Sequence, residues 1–355
     1  MTFRKTKLAR AASLFFVGLG MLFTPFIQPA HAADAGHGAQ GAHTHKYAAQ
    51  SATPLGATYP NRPVRFIIAQ LPGGNADMIG RALAEGLVEQ LGQPFVIDNR
   101  GGASGIIATE LVVRAAPDGH TLLLVGSAFG VNPAVTRKLP FDPLRDLAAI
   151  SLIATAPNLL VVGPSLPVKT VSDLISLAKA KPGQLTFSSS APLGSPHLAG
   201  ELFKIMTGTS MSHVPYKGAA AALIDVISGR VSMSFASMPS AMVHVRTGRL
   251  RGIAVTSLTR SKAAPEVPTL AESGLAGFES TAWQGFLAPA GTPARIVATL
   301  NAASLKSLQR PLMKERLAAD GAEAVGSSPD AFTAYTRNEI AKWTKVVRAA
   351  GISIE

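Results

Sequence analysis

Three short segments concentrate glycine, hydroxyl and helix-start residues where an apolar run ends. The first is Leu71-Pro72-Gly73-Gly74-Asn75-Ala76-Asp77, directly after the apolar stretch 64–70. Its glycines let backbone approach a ligand closely, and a helix start aims free N–H groups at an anion. The same residues also read as a plain strand-to-helix turn with Asp77 as N-cap, and the two readings stand side by side. The second segment runs Ser188-Ser189-Ser190-Ala191-Pro192-Leu193-Gly194-Ser195-Pro196-His197. Ser195 before Pro196 is the N-cap and N1 pairing of a helix start. Hydroxyls and N–H groups gathered at the positive end of a helix dipole suit a carboxylate. A capped helix accounts for Ser195 but leaves three successive serines unexplained. The third segment, Val214-Pro215-Tyr216-Lys217-Gly218, offers Tyr216 to close over a ligand and Lys217 to pair with an anion. Lysines in such turns usually face solvent.

This chemistry is capture, not turnover. The chain carries no Gly-x-Ser-x-Gly elbow, phosphate loop, dinucleotide fingerprint or His-Glu-x-x-His pair, and no cofactor is expected. An exported hydrolase using Ser195 and His197 is the remote alternative. Against it stand the constraint of Pro196 between them and the lack of an obvious Asp to orient the imidazole.

The elements that must position these loops alternate. Residues 64–70 and 121–125 read as buried strands, and Ile79, Leu83, Leu87 and Leu91 recur every four residues on a helix that Gly92 ends. A glycine-rich turn, Arg100-Gly101-Gly102-Ala103, separates a strand at 95–98 from a helix at 105–115. After a break near Ala156-Pro157 the alternation resumes, with helices at 171–181, 195–206 and 219–227 between short strands. A return segment at 283–289 leads into helices at 293–309, 311–319 and 330–349. Alternating strand and helix predicts α/β architecture with parallel, doubly wound sheets. Ligands then sit beyond the carboxyl ends of the strands. The expected division is lobe 1 at 59–157 and 287–355 and lobe 2 at 158–286, joined by two crossings.

The first 32 residues read as a signal peptide. Arg4, Lys5, Lys7 and Arg10 precede a short apolar core, and Ala30-His31-Ala32 forms a small-x-small cleavage site, so cleavage is expected after Ala32. Residues 33–58 are rich in Ala, Gly, Ser, Thr and His and read as a disordered linker; its His37, His43 and His45 are not taken as a metal site. The chain has no cysteine, so stability must come from buried apolar area, and 47% hydrophobic composition supplies it. The net charge of +12 comes from scattered Lys and Arg with only 6% aromatics, which argues against nucleic acid and for a solvated surface that steers anions.

Further motifs follow one another along the chain: Tyr59-Pro60-Asn61-Arg62-Pro63, Asn99-Arg100-Gly101-Gly102, Pro117-Asp118-Gly119, Gly194 to Phe203, His213 to Gly218, Val267-Pro268-Thr269 and Ala288 to Pro293. With them the chain resembles the substrate-binding proteins of tripartite tricarboxylate transporters, the Bug-type solute receptors. The resemblance implies a periplasmic binding protein of the second structural type, with two α/β lobes around a cleft. It implies a carboxylate held by backbone amides, hydroxyls and water, and adds Ser127, Ala128 and Asn132 to the loops above. Family members often carry an Asp where this chain has Ala236, followed by Ser237; its absence favours a di- or tricarboxylate, or an aromatic carboxylate, over an amino acid. The implied partners are membrane permease subunits, with a two-component sensor kinase as the alternative, and the protein is expected to act as a monomer.

Overall fold

The computed structural model describes residues 59–190, 193–319 and 321–352. The expected signal peptide, its cleavage site and the His-containing linker lie outside the described residues. Among those described, no helix is long and apolar enough to cross a membrane.

The first half of the fold is built from β1 (Val64–Ile68), α1 (Asn75–Leu91), β2 (Phe95–Asn99), α2 (Ile106–Val113), β3 (Thr121–Gly126) and α3 (Ala128–Val135). Strand β1 pairs in parallel with β2 on one side and β3 on the other. Val64, Phe66 and Ile68 face one buried layer and Ile67 the other, so the run is almost wholly apolar, as a strand covered on both faces requires.

Strand β4 (Leu147–Val162) runs 16 residues, straight through the Ala156-Pro157 position where the sequence pattern breaks. Its early part, Leu147 to Pro157, pairs antiparallel with β9 (Thr281–Pro289), and its last part, Asn158 to Val162, pairs antiparallel with β7 (Met233–Ser237). The second half also contains α4 (Val171–Ala180), β5 (Thr186–Ser189), α5 (Ser195–Thr207), β6 (Ser212–Pro215), α6 (Ala219–Ile227), α7 (Met238–Arg246) and β8 (Arg251–Val255). Strand β5 lies parallel between β6 and β7. The chain ends in α8 (Ala294–Leu308), α9 (Pro311–Ala319), β10 (Glu323–Ala324) and α10 (Pro329–Ala349). The strand order is β2-β1-β3-β9-β4-β7-β5-β6, with β8 and β10 attached to β4. Two parallel sets, each covered by helices on both faces, are thus joined through the antiparallel pair β4 and β9: the two-lobed, doubly wound arrangement the alternation predicts.

Helix α10 lies across the join. Trp343, Val346 and Val347 pack in one apolar cluster with Val131 and Val135 of α3 and with Leu198 and Leu202 of α5.

Candidate functional site

Because β1, β2 and β3 run parallel, the loops that follow them emerge at one sheet edge. They enclose a cavity of about 490 Å³. Leu71, Pro72, Gly73 and Gly74 line it from the first loop, Gly101, Gly102, Ser104 and Gly105 from the second, and Ala128, Phe129 and Asn132 from α3. Among the described residues, no Asp, Glu, Lys or Arg lines this cavity.

What the cavity offers instead is helix starts. Gly74 precedes α1, Gly105 precedes α2 and Ser127 precedes α3, and none of the three ends has a side-chain cap. The Ser127 hydroxyl is turned elsewhere, accepting the Trp283 backbone N–H at 2.9 Å. Away from the cavity, α4 has a full capping box on Thr170 and α10 is capped by Ser328. Helix α8 also lacks a cap, since Pro293 stands there. Uncapped first-turn N–H groups keep their donors and their share of the helix dipole for an incoming anion.

The loops are held in unusual backbone. Gly73 has φ of 81°, a left-handed value a Cβ would resist, while Gly101 solves a different problem. A Cβ there would lie 2.8 Å from Leu71 Cδ2 and 3.0 Å from the Leu71 backbone nitrogen, so only glycine lets the first two loops touch. Among the described residues, the non-glycine residues with positive φ are Ala103, Ser104 and Leu193. All three sit in loops at strand ends, where strain persists only if the surroundings enforce it. Asn132 helps: its Nδ2 donates to the Ser104 carbonyl at 3.1 Å.

Asp77 belongs to the scaffold of this site. It is buried at the third position of α1, so it is not the N-cap the sequence suggests; the helix starts earlier, at Asn75. Its carboxylate accepts from Gly73 N at 2.9 Å, from Asn99 Nδ2 at 3.0 Å and from Arg81 Nε. Burial alone raises its pKa, but these bonds and the Arg81 charge outweigh it and hold the group below the usual carboxylate range.

The loops of the second half gather at the ends of β5, β6 and β7. Tyr216 N donates to Ser189 O and Gly218 N to Ser190 O, each at 3.0 Å, which knits the serine segment to the Tyr216–Gly218 turn. Helices α5, α6 and α7 also begin without side-chain caps, on Gly194, Gly218 and Ser237. Ser195 is thus the first helical residue and not the N-cap, because Gly194 already holds the extended cap conformation. Its hydroxyl instead meets Asn158 Nδ2 of β4 at 3.2 Å. His197 Nδ1 accepts the Leu193 N–H at 3.0 Å. Its ring stacks on His213 at 3.9 Å between centroids, and His213 Nε2 meets Ser189 Oγ at 2.7 Å. Burial, assisted by Lys204, pushes His197 down to about 4; burial and then His197 push His213 to about 4, so both rings are neutral at neutral pH. Ser188 is wholly buried, and its hydroxyl has no partner among the described residues. Ser237 bonds Ser240 at 2.9 Å, Tyr216 donates to Asp225 at 2.5 Å, and Lys217 is exposed.

Six of the residues expected from sequence therefore line one cavity: Leu71, Pro72, Gly73, Gly74, Ala128 and Asn132. The serine segment, the Tyr216 turn and Ser237 gather at a second edge and do not enter it. The sequence reading passed over Gln70, Ser104 and the Gly101-Gly102 pair as site residues. The signal was present, since a glycine pair follows β2 just as Gly73-Gly74 follows β1.

The family described as TctC, tripartite tricarboxylate transporter family receptor, matches residues 79–352. Protein BugT of Bordetella pertussis is 38% identical over 307 residues, covering 86% of this chain and 94% of that protein. Among solved structures, Rpa4515 of R. palustris with adipate is 39% identical, with a TM-score of 0.69 over 83% of this chain and all of the other. MatC of Rhodopseudomonas palustris with bound malate is 30% identical, with a TM-score of 0.66 over 81% of this chain and all of the other. The chain belongs to the tripartite tricarboxylate transporter receptor family, the Bug-type periplasmic solute-binding proteins.

Proposed function

We propose that this chain, exported and cleaved after Ala32, captures a small di- or tricarboxylate, or an aromatic carboxylate, and delivers it to membrane permease subunits. The observation that carries this reading is the cavity where uncapped α1, α2 and α3 begin and no charged side chain intrudes. Neutral donors bind one carboxylate without leaving a buried cation to be desolvated when the site is empty. The second edge, with the starts of α5, α6 and α7, serves the far end of the ligand when the halves close. In this reading the halves bend where the pairing of β4 changes from β9 to β7 and where β9 begins, at Pro157-Asn158 and Ser280-Thr281. The ligand drives closure by binding the closed form more tightly than the open one. Structurally similar proteins hold adipate and malate, which supports a carboxylate ligand. Micromolar affinity corresponds to about −8 kcal/mol, a figure within reach of a few charge-assisted hydrogen bonds and cleft desolvation.

The test is a melting-temperature screen of the mature protein against adipate, malate, citrate, succinate and benzoate, with glucose and lysine as controls, followed by calorimetry. A carboxylate that raises the melting temperature and binds one to one supports the reading. Stabilisation by none of them, or only by glucose or lysine, overturns it.

A further inference from the structure

A second concavity of about 470 Å³ lies between α5 and α10 and shares no lining residue with the cavity at the strand ends. Leu202 and Ile205 form one wall, while Ala341, Val346 and Ala349 face them from α10. The groove follows α10 from Asn338 to Ala349, about 16 Å at 1.5 Å per residue. Ile205 is 41% exposed beside it, and its neighbour Met206 is 38% exposed. Alanines at 341 and 349 leave the groove open where larger side chains would fill it.

Charge on the two walls is one-sided. The carboxylates of α5 and of α10 beyond Thr336 are Glu201 and Glu339, and both are buried and already bonded: Glu201 to Lys204, Glu339 to Lys342 and to the indoles of Trp283 and Trp343. What remains outward is basic: Arg337, Lys345 and Arg348 are exposed and form no ion pair among the described residues. An apolar groove three helical turns long with a basic margin fits an amphipathic helix whose apolar stripe is flanked by Asp or Glu. A second copy of this face would bring like charges together. A small amphipathic anion would satisfy one cation and leave most of the length empty.

We propose that the α5–α10 groove is a docking surface for an acidic amphipathic helix of a partner protein. The apolar stripe of that helix packs on Ile205, Ala341 and Ala349 over a floor that Leu202 and Val346 already form, and its carboxylates meet Lys345 and Arg348. This surface is independent of the carboxylate cavity and does not rest on the ligand assignment.

Two synthetic 14-residue helical peptides test it, sharing one leucine stripe and flanked by Glu in one and Lys in the other. Binding is read by the anisotropy of labelled peptide and by tryptophan emission, since the Trp343 ring lies 4.8 Å from Nζ of the groove residue Lys342. The Glu peptide should bind at least tenfold tighter than the Lys peptide. The double variant Lys345→Glu, Arg348→Glu should lose at least tenfold and reverse the preference. Ile205→Asp should weaken the Glu peptide while circular dichroism stays unchanged. Equal binding of both peptides, no binding of the Glu peptide at millimolar concentration, or indifference to these substitutions overturns the proposal. So does displacement of the peptide by decanoate at lower concentration, or a dimer in ultracentrifugation that Ile205→Asp dissociates.

Discussion

The Asp77 carboxylate accepts the backbone N–H of Gly73, four residues earlier, at 2.9 Å, and the same group bonds Asn99 at the end of the neighbouring strand. One buried acid therefore fixes the first cavity loop to both the helix it opens into and the strand beside it. An acidic residue that sequence offers as a ligand contact is instead a strut behind the wall.

Asp77→Ala should release that loop. Leaving the Gly73 and Asn99 donors without their acceptor costs about 1–3 kcal/mol, read as a lower urea midpoint at pH 7. The folded pKa of Asp77 is depressed, so its contribution is full above the unfolded value near 4 and disappears as pH falls through the folded value. The stability gap between wild type and Asp77→Ala should thus be widest near neutral pH and shrink on acidification below about pH 4. A gap that grows in acid contradicts the assignment.

Gly74→Asp should separate folding from binding. Gly74 has extended backbone, and a Cβ there meets nothing closer than 3.6 Å, so the new side chain fits. Its carboxylate would cap α1 and stabilise the helix by about 0.3–1 kcal/mol. It would also occupy the place assigned to the ligand anion. Expected together are an unchanged or raised melting temperature and at least a tenfold loss of carboxylate affinity in calorimetry.

Gly101→Ala tests the contact between the two glycine loops. The added methyl would press on Leu71 and its backbone nitrogen, and Leu71 stands at the cavity rim with 71% exposure, free to shift. Folding stability should fall by less than about 1.5 kcal/mol, because the contact is at the surface. Carboxylate affinity should fall several-fold, since the first loop must move outward.

Glu339→Gln probes the join. One Glu339 oxygen accepts both indole N–H groups, Trp283 at 3.0 Å and Trp343 at 2.9 Å, while Lys342 holds the other and also reaches the Glu279 carbonyl. Glutamine keeps an acceptor oxygen but loses the charge that pairs with Lys342, which is part-exposed and keeps the Glu279 carbonyl, so the substitution should cost about 1–3 kcal/mol in guanidinium unfolding. Tryptophan emission should also shift, because both indoles of the chain report on this one group.

Much of the fold was legible in order. The predicted helices at 219–227 and 311–319 coincide with α6 and α9, and Gly92 ends α1 in the left-handed conformation its type suggests. Two elements departed from their local signal. Helix α3 contains Pro133, which disrupts the helical pattern, and β4 runs through Pro157 because its pairing changes there from β9 to β7. A proline at that position lacks an N–H, and only the change of partners makes it tolerable in a long strand.

Sequence alone determined which residues end strands and open helices, since glycine pairs, serine runs and apolar runs are local properties of backbone freedom and burial. It also limited the charged residues of the first cavity's loops to Asp77 and Arg100, which the folded structure then occupies with Gly73, Asn99 and Asp98 and keeps out of the wall. Tertiary structure decided which loops share a wall. Leu71 meets Gly101 only because β1 and β2 pair in register, Ile68 beside Asn99, a contact between residues thirty positions apart that no window of sequence encodes. It likewise turned Asp77 inward, because the donors that surround it come from a neighbouring strand, a turn and the next coil of its own helix.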